Sequence, residues 1–287
     1  PGNSTTADGV GKDAGFATPT GLALDKNGNV YVADGDNNTI RKITPDGKVT
    51  TFAGKAGESG DADGKGAAAR FNGATALAVD KDGNIIVADT HNGSVRKITP
   101  DGTVTTLTAK PAAGMPASGK SAVIALSSPR AITIDSAGVI YVADEELGIV
   151  VKVGADGALT LVAGNQDDTI ANKDGVGAKA VILTPRGLTV DAKGNLYVAD
   201  TDDGLIRKIT SDGTVTTFAG KTGQTGDADG KGAAAQFAGP RGLAVDKAGN
   251  IYVADSDNAA IRKITPDGTV TTLGEVPAPA TTSAAKP

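Results

Sequence analysis

The chain has no cysteine, no tryptophan, one histidine and one methionine, and only 3% of its 287 residues are aromatic. Without cysteine there is no disulfide framework, no thiolate metal ligand and no cysteine nucleophile. A lone histidine, His91, confines imidazole chemistry to a single position. Positive charge is also in deficit, with 28 Lys and Arg against 33 Asp and Glu and a net charge of −5. A general binder of nucleic-acid backbone needs the opposite field, and five phenylalanines give few stacking platforms, so nucleic acid is not the expected partner. Apolar runs last a handful of residues, far short of the ~20 that a membrane helix needs, so insertion into a bilayer is not expected. No signal peptide is present, and the chain opens on Pro1 rather than methionine. That raises the expectation of a removed leader or a larger parent.

Glycine, by contrast, is abundant, with 40 residues. Its distribution is periodic. The segment GDADGKGAAA stands at Gly60–Ala69 and again, letter for letter, at Gly226–Ala235. Its Asp-Gly recurs along the chain at Asp8, Asp63, Asp174 and Asp229, with Ser118 in the third unit, at steps of 55 or 56 residues. The tetrapeptide YVAD keeps the same step and ends at Asp34, Asp89 (there as IVAD), Asp144, Asp200 and Asp255. Two independent motifs on one period define a tandem array.

Each unit reads as four short strands. In the first these are Gly21–Asp25, Val30–Asp34, Thr39–Ile43 and Lys48–Phe52, separated by KNGN, GDNN and TPDG. Asn27-Gly28 and Asp46-Gly47 are hairpin signals, because glycine takes the positive φ that such turns require. No helical periodicity extends beyond the GKGAAA fragment. Strands such as LALD and VYVA are apolar on both faces, which suits a sheet sandwiched between two neighbours. The predicted fold is therefore an all-β propeller with four-stranded antiparallel blades. A solenoid of stacked hairpins is the alternative.

The pattern P-x-G-L-x-V-D-x-x-G-N-[IL]-Y-V-A-D-x-x-N-x-x-I-R-K-I is met at Pro240–Ile264 and, less closely, at Pro19–Ile43 and Pro185–Ile209. It resembles the NHL repeat in its long bacterial form, with a D-G-x-G-x-x-A-x-F connector, and the resemblance covers the chain from about Thr6 to Leu273. It implies a propeller, usually six-bladed. The uses it implies are protein binding, RNA binding in some animal regulators, or kinship with lactonases and lyases. This chain holds five complete repeats, so five blades closing a ring is the expectation, with a longer parent array as the alternative. Residues 1–15 read as a partial connector left from a preceding repeat, 16–273 as the propeller, and 274–287 as a Pro/Ala/Thr-rich linker.

Three sets of residues bear on function. The Asp-x-Asp-Gly of the connector invites a calcium-loop reading, but Lys65 and Lys231 stand where oxygen ligands belong, and nothing bidentate follows. A turn between blades is expected there, with no metal and no cofactor. Its closing apolar residue (Phe16, Phe71, Leu126, Ile182 or Phe237) would plug the seam between blades.

The second set pairs Asp34 with Arg41, Asp89 with Arg96, Asp200 with Arg207 and Asp255 with Arg262 across a hairpin, the carboxylate also accepting N–H groups of the loop. Fourfold recurrence suits a structural staple, because an active site occurs once. The third unit departs, with Val151 in place of arginine and with Glu145 and Glu146 added.

The third set is a face. Thr20, Thr75, Arg130, Arg186 and Arg241 stand at the start of the innermost strands, beside the expected channel. Asp36, His91, Glu145, Glu146, Asp202, Asp203 and Asp257 lie in the loops around them. An anionic or polar group, protein or otherwise, is the partner expected on this face. The leading functional expectation is a non-enzymatic binding or display scaffold in an extracellular or periplasmic setting. The alternative is a lactonase- or lyase-like enzyme, whose metal would need Glu, Asp and Asn on inner strands that here carry no Glu or Asn.

Overall fold

The computed structural model describes residues 6–108, 124–165 and 172–275. Ser118 and the end of the linker, residues 276–287, lie outside them.

Every blade begins with the same turn. Asp25 follows the innermost strand Pro19–Leu24, and its Oδ1 accepts the backbone N–H groups of Asn27 and Asn29, each at 2.9 Å. Gly28 completes the reversal at φ +79°, a left-handed conformation that a Cβ would strain. Asp80, Asp135, Asp191 and Asp246 repeat the arrangement. A local polar side chain thus fixes hairpin register five times over.

The first blade continues through Val30–Asp34, Thr39–Ile43 and Lys48–Gly54. The other blades have innermost strands Ala74–Val79, Pro129–Ile134, Pro185–Val190 and Pro240–Val245. The four main strands of each blade pair antiparallel with their sequence neighbours, from the innermost to the outermost. Five such blades form a ring, a five-bladed propeller, and the innermost strands surround a channel of about 600 Å³.

The connector adds a two-residue strand at the outer edge. Gly64–Lys65 pairs with Thr103–Val104 of the blade that follows it in sequence, and Gly9–Val10 pairs in the same way with Lys48–Val49. Residues 9–10 are thereby tied to the outer edge of the first described blade. After the short strand comes a single 3-10 turn, Gly66–Ala68, and then the buried Ala69 and Phe71.

The cores lie between blades. Tyr31, Ala33, Ile40 and Ala53 of blade 1 meet Phe71, Leu77, Ile85, Val87, Ile98 and Val104 of blade 2. Equivalent sets join blade 2 to 3, 3 to 4 and 4 to 5. Phe71 and Phe237 are wholly buried, and burial of a phenylalanine side chain stabilises by roughly 1.5–3 kcal/mol. The copied connector closes a seam between blades.

Candidate binding face at the channel mouth

Two sets of arginine bear on the site, and their surroundings separate them. Arg41, Arg96, Arg207 and Arg262 are completely buried, as are Asp34, Asp89, Asp200 and Asp255. The pairs stand 3.6, 2.8, 3.5 and 2.8 Å apart. The other arm of each guanidinium donates to the connector aspartate, Asp8, Asp63, Asp174 or Asp229, at 2.8–2.9 Å. Three of the guanidiniums also lie over the connector phenylalanine, as Arg96 lies 5.3 Å from the Phe71 ring centre.

The inner carboxylate takes its backbone N–H groups chiefly from the end of the connector: Ala17 and Thr18 for Asp34, Asn72 for Asp89, Thr184 for Asp200 and Ala238 for Asp255. The sequence reading expected donors from the loop. Among the described residues only Leu147, donating to Asp144, is a backbone donor of that kind, and the loop otherwise contributes asparagine side chains such as Asn92 and Asn258. Each arginine is thus a brace between two carboxylates, one central and one in the connector. Asp63 and Asp229 also accept from Thr106 and Thr272, so their oxygens are engaged by a cation and a hydroxyl.

Blade 3 lacks the brace at both ends. Val151 is buried in the arginine's place, and Ser118 replaces the connector aspartate in sequence. Asp144 stays buried, held by the N–H groups of Ser127, Ser128 and Leu147. This joint loss is the signal that sequence reasoning missed. The one unit without the arginine is also the unit without the aspartate that binds it.

Burial pushes the carboxyls of Asp89 and Asp144 above the ordinary range, against the pull of backbone N–H groups. Asp200 is pushed up to about 6 by burial, with the Thr184 N–H and Arg207 opposing. The folded state therefore holds this proton at a pH where the unfolded chain has lost it. Asp200's contribution to stability is most favourable below the unfolded pKa near 3.8 and falls as pH rises toward about 6. Asp200→Asn should accordingly gain on the native protein between pH 4 and 6.5 and level off above. Urea unfolding at four pH values measures this, and a difference that stays constant or shrinks contradicts it.

The second set stands at the channel mouth. Thr20, Thr75, Arg130, Arg186 and Arg241 ring the opening, and Leu22, Leu77, Ile132, Leu188 and Leu243 line the shaft beneath. The two threonines are used within the fold. Thr20 donates to the Ala74 carbonyl at 3.3 Å, and the Thr75 and Thr90 hydroxyls lie 2.6 Å apart.

Nor do the arginines form a free arc. The Glu145 carboxylate bridges two of them, accepting from Arg130 Nε and from Arg186 Nε and Nη2, the latter two at 2.7 and 2.6 Å. Burial opposes its charge, but the Arg186 and Arg130 guanidiniums prevail and hold its carboxyl below the usual glutamate range. Arg241 is different. More than half exposed, it has the Asp257 carboxylate at 3.9 Å, beyond hydrogen-bond length. Between Arg186 and Arg241 opens a pocket of about 350 Å³, rimmed by Thr201, Thr225, Asp202 and Asp257.

The remaining loop residues mostly tie the loop to the connector. Thr18 donates to Asp36, Ser127 to Glu146 at 2.6 Å, and Asn172 to Asp203. His91 is exposed and lies against Gly73, its backbone N–H donating to the Asn72 carbonyl. Among the described residues no three His, Asp or Glu side chains converge as a metal site, and no helix is long and apolar enough to cross a membrane.

The sequence pattern of the NHL repeat matches residues 16–43, 71–98 and 237–264. NHL repeat-containing protein 2 of Homo sapiens is 29% identical over 91% of this chain, which covers 40% of that protein. The chain spans still less of other curated relatives, 26% of one and 8% of another. An auxiliary nutrient binding protein from Bacteroides ovatus superposes with a TM-score of 0.67 at 21% identity, over 90% of this chain and 60% of its own. Virginiamycin B lyase from Staphylococcus aureus gives 0.61 at 19% identity, over 91% and 71%. At these identities the structural likeness is one of fold.

Proposed function

This chain is an NHL-repeat β-propeller, and on that premise we propose that it is a non-enzymatic binding module presenting its channel-mouth face to a partner. The observation that carries the reading is the pocket between Arg186 and Arg241, with a half-exposed guanidinium on one side and carboxylates on its rim. A partner carboxylate accepts from Arg241, while Asp202 and Asp257 receive N–H groups. That combination suits a protein segment better than a simple anion. The face is also where the repeats differ. The opposite hairpin face repeats TPDG- and DKDGN-type turns, which offer the same chemistry again and again.

An enzyme of the lyase or lactonase kind is less well supported. The Glu145 carboxylate is engaged by two arginines, and the shaft itself is aliphatic. That a structural neighbour is named a nutrient binding protein is in keeping with the binding role and with an extracellular or periplasmic location, both part of this proposal.

Succinate serves as a probe for the carboxylate subsite. Arg241→Ser should weaken its binding roughly tenfold, the value of one charge-assisted hydrogen bond, without moving the melting temperature. Undiminished binding, or loss caused instead by substituting Lys48, Lys81 and Lys193 on the hairpin face, overturns the choice of face.

A further inference from the structure

The hairpin face carries one aromatic cluster twice in full and once with a ring left out. In blades 1 and 4 the second strand supplies a tyrosine, the third a lysine and the outermost a phenylalanine, and the three side chains assemble. The Tyr31 and Phe52 ring centres lie 5.2 Å apart at 65°, and those of Tyr197 and Phe218 lie 5.2 Å apart at 64°. Such edge-to-face pairs set the positive rim of one ring on the negative face of the other. The Lys42 ammonium stands 5.7 Å from the Tyr31 ring centre and 6.0 Å from that of Phe52, and the Lys208 ammonium stands 5.9 Å from Tyr197.

Blade 3 keeps two members of the cluster and lacks the third. Tyr141 pairs across the sheet with Lys152, as Tyr31 does with Lys42 and Tyr197 with Lys208. Its hydroxyl donates to Asp135 at 3.3 Å, matching Tyr31 on Asp25 at 3.5 Å and Tyr197 on Asp191 at 3.4 Å, so the ring is held in the same way. Where Phe52 and Phe218 stand, blade 3 carries Val162. Beside Tyr141 is a cavity of about 190 Å³, walled by Leu161 and Val162 of blade 3 and by Leu196 and Thr210 of blade 4, with Lys152 at its side. Tyr31 and Tyr197 are 4% and 5% exposed, whereas Tyr141 is only partly covered. The remaining blades offer no such slot. Ile86 takes the tyrosine's place in blade 2, and Leu273, 56% exposed, does not enclose Tyr252 in blade 5.

We propose that the cavity beside Tyr141 is a binding site for one small electron-rich aromatic molecule, a phenol in class, whose ring takes the place that phenylalanine holds in blades 1 and 4. The two complete clusters show what the site accepts: a ring set edge-to-face with the tyrosine and within reach of the lysine ammonium. The volume suits one six-membered ring, since an apolar cavity of roughly 150 Å³ takes benzene. The ammonium selects for electron density, because a cation is drawn to the negative face of a ring. The occupant is a free molecule, since the cavity has room for a single ring and the turns beside it, AKGN and SDGT, are of the type that other blades repeat. The site lies on the face opposite the channel mouth and does not depend on the binding role assigned to that mouth.

Phenol is the probe, and methyl NMR of the full chain is the readout. The Val162, Leu161 and Leu196 methyl signals should shift, because a ring bound among them adds its ring current. Cyclohexanol, a saturated ring of similar size, should bind about fivefold more weakly or worse. Val162→Phe supplies the ring from the chain itself. It should abolish the phenol shifts at Leu161 and Leu196 and raise the melting temperature by roughly 2–4 °C. Phe218→Val should do the reverse, opening a second site beside Tyr197 and doubling the number of phenol molecules bound. If Val162→Phe does not fold, Phe218→Val decides. Equal affinity for phenol and cyclohexanol would make the cavity a packing defect that any ring can fill, and would overturn the proposal. Phenol shifts that survive Val162→Phe, an unchanged stoichiometry in Phe218→Val, or shifts that fall instead at the channel residues Leu22, Leu77 and Leu188 would overturn it equally.

Discussion

Arg207→Ala is expected to destabilise the protein by about 3–5 kcal/mol, the cost of removing one partner from a buried charge network. The guanidinium is fully buried and holds Asp200 on one side and Asp174 on the other, and it also donates to Asn172 and the Val181 carbonyl. Truncation leaves the buried Asp200 carboxylate without its cation. Lys193→Ala, in an exposed hairpin turn, should stay within about 0.5 kcal/mol. Blade 3 supplies the finer test, because it folds with valine in place of the arginine and serine in place of the connector aspartate. Arg207→Val combined with Asp174→Ser should therefore cost less than the two single changes added together. Chemical denaturation of the four proteins measures this. Additive losses would mean that the brace does not act as a unit.

Gly187→Ala comes next in size, at roughly 3 kcal/mol, the upper end for forcing a methyl group into a packed site. The clash is with backbone, the Arg241 carbonyl at 1.9 Å, so no side-chain rotation relieves it. Gly242→Ala makes the same chemical change at the equivalent position of blade 5, where a Cβ has room. It should be neutral to within about 0.5 kcal/mol. Neither glycine has a positive φ, so the comparison reports packing between blades and not backbone strain. Equal costs would mean that blade 5 is packed against blade 1 as tightly as blade 4 is against blade 5.

The architecture was open to reading because its determinants are local and repeated. Asp25 with Gly28, and Asp46 with Gly47, fix hairpins within a few residues, and the same letters recur in every unit. The expected strands Val30–Asp34 and Thr39–Ile43 are the observed ones. The site was harder because its contacts cross between repeats. Arg130 and Arg186 were legible as members of one face, but their joint attachment to Glu145 depends on which side chains two adjacent blades turn toward each other. Period alone carries no such information. Asp63 and Arg96 lie 33 residues apart, and their pairing was hidden for the same reason. Its trace was the shared exception of Ser118 and Val151 in the third unit. The unequal burial of Leu22 and Leu77 leaves no mark in the period either, since they are the same residue at the same place in the repeat.

Of the eight arginines, four brace the blades and three stand at the channel mouth. The most direct measurement is NMR of the arginine Nε–H signals as succinate is added to the full chain. Arg241 should shift most and Arg186 next, with the signals of Arg41, Arg96, Arg207 and Arg262 unmoved because those side chains are buried among their own partners. Shifts confined to the buried four, or no shift at the mouth while lysines of the hairpin face respond, would contradict the assignment of binding to this face.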